Sequence, residues 1–202
     1  FIDRDGVINQ KLPGENSYVT HWRQFEFLSG ALEGIRLLTG LSKRLVVVTN
    51  QRGIARGLMT ESDLIAIHGK MRATITSHSG RLDGVYYCPH DRDVCQCRKP
   101  SKGLFEKARN DFPDITYARS IVVGDSEVDL QAALTIGARP VLINTQLQWR
   151  DILQRLVDDT YDQFLRAVAN RRKLPMKEAK RLGDGSIFSG ERAKSLGLVD
   201  EL

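Results

Sequence analysis

Along the first two thirds of the chain, short runs of apolar residues alternate with longer stretches in which apolar residues recur every three or four positions. Short β-branched runs read as buried strands of a parallel sheet, and the helix-period stretches as the helices that cover it. Phe1-Ile2 predicts the end of a first strand, and residues 45–48, 84–87, 121–123 and 140–143 predict four more. Between them, residues 31–41 carry Leu32, Ile35 and Leu38 on one helical face, and residues 60–76 open on a Thr60-x-x-Asp63 capping pattern. Residues 102–111 and 128–136 complete this set of helices, with Gly137 as the C-cap of the last. The expected fold class is α/β, a Rossmann-like and mostly parallel sheet.

After Asn144 the pattern changes to helices alone or nearly so. Residues 146–170 predict one long helix with Trp149, Ile152, Leu156, Tyr161, Phe164, Leu165 and Val168 as its apolar positions. A second helix is expected from Pro175 to about Gly183, a short strand at 185–188, and a last helix at 191–196, capped by Ser189 and stopped by Gly197. The expected division is a domain of residues 1–145 and a mainly helical extension of residues 150–202. A length of 202 residues fits one domain with an extension, and 41% hydrophobic residues are enough for a core. No run approaches the roughly 20 apolar residues of a membrane span, and no signal peptide opens the chain. The charge of +5 is spread among interleaved acids and bases, so neither a nucleic-acid partner nor a membrane is expected. A cytoplasmic monomer is the expectation.

The strand ends carry the chemistry. Asp3 and Asp5 stand two residues apart where the first strand meets Gly6, so their side chains point the same way, at the carboxyl end where open α/β sheets bind ligands. The next strand ends in Thr49, Asn50 and Gln51 before Gly53 and Gly57, a hydroxyl-and-amide turn suited to phosphoryl oxygens. Another ends in Gly124, Asp125, Ser126 and Asp129, and Arg98-Lys99 adds fixed positive charge before Pro100. A lone Asp-x-Asp-Gly is most often a solvated turn. Four such elements on successive strand ends are not.

All three cysteines fall within ten residues, as Cys88-x-His90, four residues, then Cys95-x-Cys97. Three thiolates and an imidazole make a closed tetrahedral set of the structural zinc type, placed directly before Arg98 and Lys99. One disulfide with an odd thiol is the competing arrangement, disfavoured without a secretion signal. The other histidines, His21, His68 and His78, lack such company and read as ordinary surface or helix residues.

The ordered set resembles the haloacid dehalogenase-like phosphatases over residues 1–145. Together with Tyr86-Tyr87-Cys88-Pro89-His90 and Cys97-Arg98-Lys99-Pro100, it is similar to their zinc-containing branch, which acts on heptose bisphosphates or histidinol phosphate. Ile8-Asn9, Tyr18-Val19, Phe25-Glu26-Phe27 and Gly53-Ile54-Ala55-Arg56-Gly57 favour the heptose side. The resemblance implies Asp3 as nucleophile, Asp5 as general acid and base, Thr49 and Lys99 as phosphoryl-binding groups, and Mg²⁺ on Asp3, Asp5 and Asp125. It also implies substrate contacts from Asn50, Gln51, Arg52, Gly53 and Arg98, helped by the loop from Glu15 to Tyr18. Zn²⁺ would sit on Cys88, His90, Cys95 and Cys97. Asp129 reads either as part of the metal's surroundings or as a helix cap. Three features depart from the heptose pattern: Ser126 in place of a lysine, a small insertion at 11–15, and a short spacing from His90 to Cys95.

From about Arg150 the chain resembles instead the C-terminal part of the signal peptide peptidase family, serine peptidases of crotonase-like fold. The Ser/Lys pair of that family has no counterpart here, and Ser186, Ser189 and Ser195 read as caps or solvated positions. The chain thus reads as one nearly whole phosphatase joined to a piece of another protein, a segment free to associate with a second chain. The reading from another class is a catalytically silent, zinc-braced module that binds a partner protein. A DNA-end phosphatase would need a basic and aromatic track that the sequence does not carry.

Overall fold

A computed structural model describes residues 1–14, 18–143, 149–183 and 190–197, in two compact units, residues 1–152 and 153–202. In the first unit, β1 (Val46–Asn50) pairs in parallel with β2 (Gly84–Cys88), and β3 (Ile121–Gly124) with β4 (Arg139–Leu142). The residues at the start of the chain join the two pairs: Ile2 bridges Val47 on one side and Val123 on the other, both in parallel. Its N–H donates to Val46, and Asp3 N–H donates to Val123. The sheet order is therefore β2, β1, residues 1–3, β3, β4, with Asp3 at the carboxyl end of the central segment.

Strand alternation sends Phe1, Val46, Val48, Tyr86, Cys88 and Val122 to one face. There they meet Leu104, Phe105 and Ala108 of α3 (Gly103–Asp111) and Ala132, Ala133 and Ile136 of α4 (Glu127–Ile136). Phe105 is fully buried and edge-on to Phe1 at 5.0 Å. Its truncation to Ala would cost about 3–5 kcal/mol. Alternation points Ile2, Val47 and Val123 the other way. α1 (Ala31–Leu41) and α2 (Glu61–Ser77) pack on each other and bury Ile35, Leu38, Leu64, Ile67, Met71 and Ile75. The expected cap of α2 is present: Thr60 Oγ1 accepts from Asp63 N–H, and Asp63 accepts from Thr60 N–H. Gly137 closes α4 at φ 72°, as the sequence predicts. Short 3₁₀ turns at Trp22–Gln24 and Tyr117–Arg119 were not anticipated.

The second unit contains α5 (Trp149–Arg172) apart from its first four residues, α6 (Met176–Leu182) and α7 (Gly190–Ser195). Leu165 and Ala169 pack on Ala179. Tyr161 Oη donates to Gly183 C=O at 2.7 Å, and Gly183 lies so close to Leu165 that a Cβ there would fall 2.6 Å from it. The expected apolar stripe needs correction at two positions: Phe164 is 57% and Tyr161 37% exposed, because Leu165 and Ala169 form the inward face. The boundary expected at 144–149 falls largely in 144–148, outside the described residues, as do the expected strand at 185–188 and the Ser189 cap. Among the described residues no helix is long and apolar enough to cross a membrane.

Candidate active site

Four loops meet at the carboxyl ends of the strands. The turn after residues 1–3 delivers Asp3, Arg4 and Asp5; Gly6, at φ 83°, lets the chain reverse there, and a Cβ on it would collide with the Asp125 carboxylate at 1.9 Å. β1 delivers Thr49, and β3 delivers Asp125. The loop after β2 brings in Lys99, whose backbone is held by Asn50: the Asn50 amide donates to Lys99 C=O at 3.1 Å, and Lys99 N–H donates to Asn50 Oδ1 at 3.0 Å.

Lys99 is the hub of the charge. It is 4% exposed, and its ammonium donates to Asp129 Oδ1 at 2.6 Å and lies 2.9 Å from Asp3 Oδ1. Burial alone would depress a lysine, but the charges of Asp3 and Asp129 raise it above its ordinary value. Burial pushes Asp3 up to about 6, with Lys99 opposing and the charges of Asp129 and Asp5 adding to the rise. Asp129 serves in two ways at once, since its other oxygen accepts from Ser126 N–H and Oγ at the start of α4.

Asp5 is held differently. Burial would raise it, but Arg4 binds its carboxylate through Nε at 3.2 Å and Nη2 at 2.8 and 2.9 Å, and with the Asn9 and Gln51 amides keeps it below the usual carboxylate range. Arg4 itself is 1% exposed, and its Nη1 lies 3.2 Å from His68 Nε2. An arginine donates only, so His68 must be the acceptor here, neutral and protonated on Nδ1. Burial, reinforced by Arg4, lowers His68 to about 3, which fits that assignment. The reading of His68 as an ordinary helix residue is thus corrected, and Arg4 and His68 are two of the site residues that sequence reasoning missed, beside Asn9 and Lys11. A signal existed for Arg4 and His68. Arg4 must point opposite to Asp3 and Asp5, into the protein, and His68 stands four residues after Leu64 and three before Met71 on the buried stripe of α2.

Three carboxylates, Asp3, Asp125 and Asp129, offer oxygen atoms within 4.8 Å of one another, and Asp125 Oδ1 is buried with no hydrogen-bond partner among the described residues. Burial raises Asp125, and Lys11, at 2.5 Å from its Oδ2, opposes the rise. Hard oxygen donors with an unpartnered buried oxygen fit Mg²⁺.

The cavity above these groups, about 420 Å³, is lined by Asp3, Asp5, Lys11, Tyr18, Thr49, Asn50, Arg98, Lys99 and Asp129 among others. Arg98 Nη1 is buried and without a hydrogen-bond partner among the described residues. Three residues expected to touch substrate have other engagements. The Gln51 amide donates inward to Asp5 at 2.7 Å and to Thr49 Oγ1 at 2.9 Å. Arg52 pairs with Asp91 at 2.5 Å, and Gly53 lies under Tyr18, where a Cβ would fall 3.2 Å from the ring. Glu15 lies outside the described residues.

Beside the cavity, Cys88, His90, Cys95 and Cys97 converge. Cys97 Sγ stands 3.2 Å from both Cys88 Sγ and His90 Nδ1 and 3.4 Å from Cys95 Sγ, and Cys88 and Cys95 are 3.5 Å apart. A disulfide would bring two sulfurs to about 2.05 Å, and all three cysteines are free. Zn–S bonds of about 2.3 Å set tetrahedral sulfurs about 3.8 Å apart, so the set fits Zn²⁺. Gly103 at the start of α3 touches this loop: a Cβ on it would meet Gln96 C=O at 2.5 Å. The cluster therefore sits between α3 and the cations Arg98 and Lys99.

Known proteins resemble this chain. The D-glycero-alpha-D-manno-heptose-1,7-bisphosphate 7-phosphatase of Mycobacterium tuberculosis is 43% identical over 139 residues, covering 68% of this chain and 72% of that protein. The chain belongs to the haloacid dehalogenase-like phosphatases. The D-glycero-beta-D-manno-heptose-1,7-bisphosphate 7-phosphatase of Escherichia coli K12 is 41% identical over 155 residues, 72% of this chain and 78% of its own. Among solved structures of the family, D,D-heptose 1,7-bisphosphate phosphatase from B. bronchiseptica, complexed with magnesium and phosphate, matches with a TM-score of 0.64 at 39% identity. That match covers 70% of this chain and 77% of that one. The HAD-hydrolase-like family description matches residues 96–168, and the peptidase family S49 description matches residues 143–202. The two overlap across much of α5. In the phosphatase, Ser195 of the S49-like segment donates to Arg192 C=O at 2.8 Å, and Ser186 and Ser189 lie outside the described residues.

Proposed function

We propose that this phosphatase removes the 7-phosphate of D-glycero-D-manno-heptose 1,7-bisphosphate through an aspartyl-phosphate on Asp3. The observation that carries the reading is the buried Lys99, fixed between Asp3 and Asp129 at the floor of a cavity that also holds Thr49, Asp5 and the unpartnered Arg98 Nη1. The relatives named above supply the substrate class.

In the first half-reaction an Asp3 oxygen forms a bond to phosphorus as the bond from phosphorus to the sugar oxygen breaks, and Asp5 gives that oxygen a proton. Lys99 and the Thr49 hydroxyl bind the equatorial phosphoryl oxygens, where charge gathers. In the second half Asp5 takes a proton from water, the water attacks phosphorus, and Asp3 is released with inorganic phosphate. Arg4 favours the ionised Asp5 that this second half needs. An anionic phosphate in the cavity opposes Arg4 and favours the protonated Asp5 of the first. Asp3 and Asp125, with the Asp5 main-chain carbonyl, would hold Mg²⁺, whose positive charge would let a carboxylate approach an anionic phosphate. Arg98, with a planar fork and a free Nη1, is apt for the second phosphate. Cys88, His90, Cys95 and Cys97 would hold Zn²⁺, which would brace the loop that carries Arg98 and Lys99. Three unoxidised thiols suit a reducing compartment, and a cytoplasmic monomer is the proposed state.

The four-residue spacing between His90 and Cys95 favours a second substrate, histidinol phosphate. Phosphate release measured side by side on the two compounds, with and without Mg²⁺, separates the readings. A higher kcat/KM on the heptose bisphosphate is expected; faster release from histidinol phosphate overturns the assignment, and no Mg²⁺-dependent release from either favours a silent zinc-braced module.

A further inference from the structure

Two ammonium groups reach the carboxylate cluster, and they are held in opposite ways. Lys99 is enclosed between Asp3 and Asp129. Lys11 comes from the loop that follows the Asp3-to-Asn9 turn, with 52% of its side chain exposed, yet its Nζ is 2.5 Å from Asp125 Oδ2. It also lines the cavity, in company with Tyr18 and Arg98. Among the described residues, Asp125 is the member of the cluster that forms its ion pair with this half-exposed lysine, Lys99 acting on it through charge alone.

We propose that Lys11 is the exchangeable cation of the site: it neutralises Asp125 before the metal arrives, is displaced by the divalent ion, and then binds a phosphate oxygen of the sugar bisphosphate. The proposal rests on the reading of Asp125 as a metal carboxylate. Whichever Asp125 oxygen takes the metal, the ammonium would stand within a few ångström of a second cation, and like charges so close oppose each other. An enclosed lysine could not yield. Lys11 can, because its stem is in solvent and the cavity beside it is open. The consequence is an order of events in which metal binding frees a cation for the substrate, so that Mg²⁺ and bisphosphate bind with positive coupling.

The test uses the full chain with its zinc. Calorimetric titration of Mg²⁺ at low salt should show Lys11→Met binding about three- to tenfold tighter than the parent, the scale of a partly exposed ion pair, with Lys11→Arg close to the parent. In the same variant KM for the bisphosphate should rise about tenfold while KM for p-nitrophenyl phosphate, with one phosphate only, stays in place. Unchanged or weaker Mg²⁺ binding by Lys11→Met overturns the competition, and an unchanged bisphosphate KM overturns the transfer to substrate. Asp125→Asn is the control for the premise. If it binds Mg²⁺ as the parent does, the metal reading itself fails; if it loses binding while Lys11→Met is unaltered, only the role of Lys11 falls.

Discussion

The two candidate metal clusters of this phosphatase sit on adjoining loops and are built on opposite plans. The carboxylate cluster is charge-rich and open to a cavity; its acids are pulled in different directions, Asp3 and Asp125 upward by burial and Asp5 downward by Arg4. The thiol cluster is closed, with four donors facing one another and none of them lining the cavity. Burial pushes the Cys88 thiol up to about 12, so a thiolate there needs a cation beside it. The difference separates chemistry from scaffolding: hard oxygen donors with an unpartnered atom can exchange ligands during turnover, whereas a saturated soft set holds a loop still.

The sharpest way to break this comparison is to remove Asp3, the proposed nucleophile. Asp3→Asn should lower phosphate release by about a thousandfold or more, the scale of losing a covalent nucleophile. A steady-state assay at saturating Mg²⁺ reads this directly, and a variant within tenfold of the parent would remove Asp3 from the reaction. The complementary change is at the thiol cluster. Stripping zinc with a chelator, or Cys97→Ser, should lower the melting temperature by about 10 °C, the effect of a few kcal/mol in a domain of this size. Loss of the brace should also raise KM more than it lowers kcat, because Arg98 and Lys99 would lose their common setting. An equal fall in both clusters' readouts on Asp3→Asn would show that the two are not separable.

How far the sequence carries differs between the same two regions. The convergence of the thiol cluster was legible, since its four candidate donors lie within ten residues and no other cysteine competes. The acidic centre was legible at Asp3, Asp5, Thr49, Lys99 and Asp125, each at a strand end where apolar residues stop. What the sequence could not show was direction. Gln51 and Asn50 stand in the expected turn, but their amides are turned to Asp5, Thr49 and the Lys99 backbone, a choice made by contacts 46 and 49 residues away. Arg4 and His68, 64 residues apart, meet only because α2 packs beneath the turn. Register within α5 was misjudged at Phe164, since a long amphipathic pattern does not say which of two adjacent apolar residues faces inward.

The Arg4 and His68 pair gives a finer test of the acidic side. His68→Leu leaves a buried guanidinium donor without its acceptor, so Arg4 is freed to shift and Asp5 with it. About a tenfold loss in kcat is expected, the lower end of what losing a hydrogen bond to a charged group costs. KM should move little, because His68 does not line the cavity. His68→Gln, which keeps an acceptor, should restore much of the rate. A loss matched by an equal fall in thermal stability, with no rescue by Gln, would make the pair merely structural.

The smallest effect concerns pH. Metal binding needs Asp3 ionised, and its folded value of about 6 lies above the 3.8 of a free aspartate. From pH 7 to pH 6 the ionised fraction falls from about nine tenths to about half, so Mg²⁺ affinity should weaken about twofold, and about tenfold by pH 5. The stability of the metal-free protein runs the opposite way. Between pH 3.8 and about 6 the folded metal-free protein holds a proton on Asp3 that the unfolded chain has lost, so stability falls as pH rises through this window. Asp5, lowered below its ordinary value, works in the opposite direction and at lower pH. Added Mg²⁺ should therefore raise the melting temperature more at pH 7 than at pH 5, a difference absent from Asp3→Asn. The thiol cluster has no carboxylate among its donors, so Asp3→Asn, which removes the pH dependence of Mg²⁺ stabilisation, should leave zinc-dependent stabilisation unchanged at each pH; a zinc effect altered by Asp3→Asn would erase the distinction between the two sites.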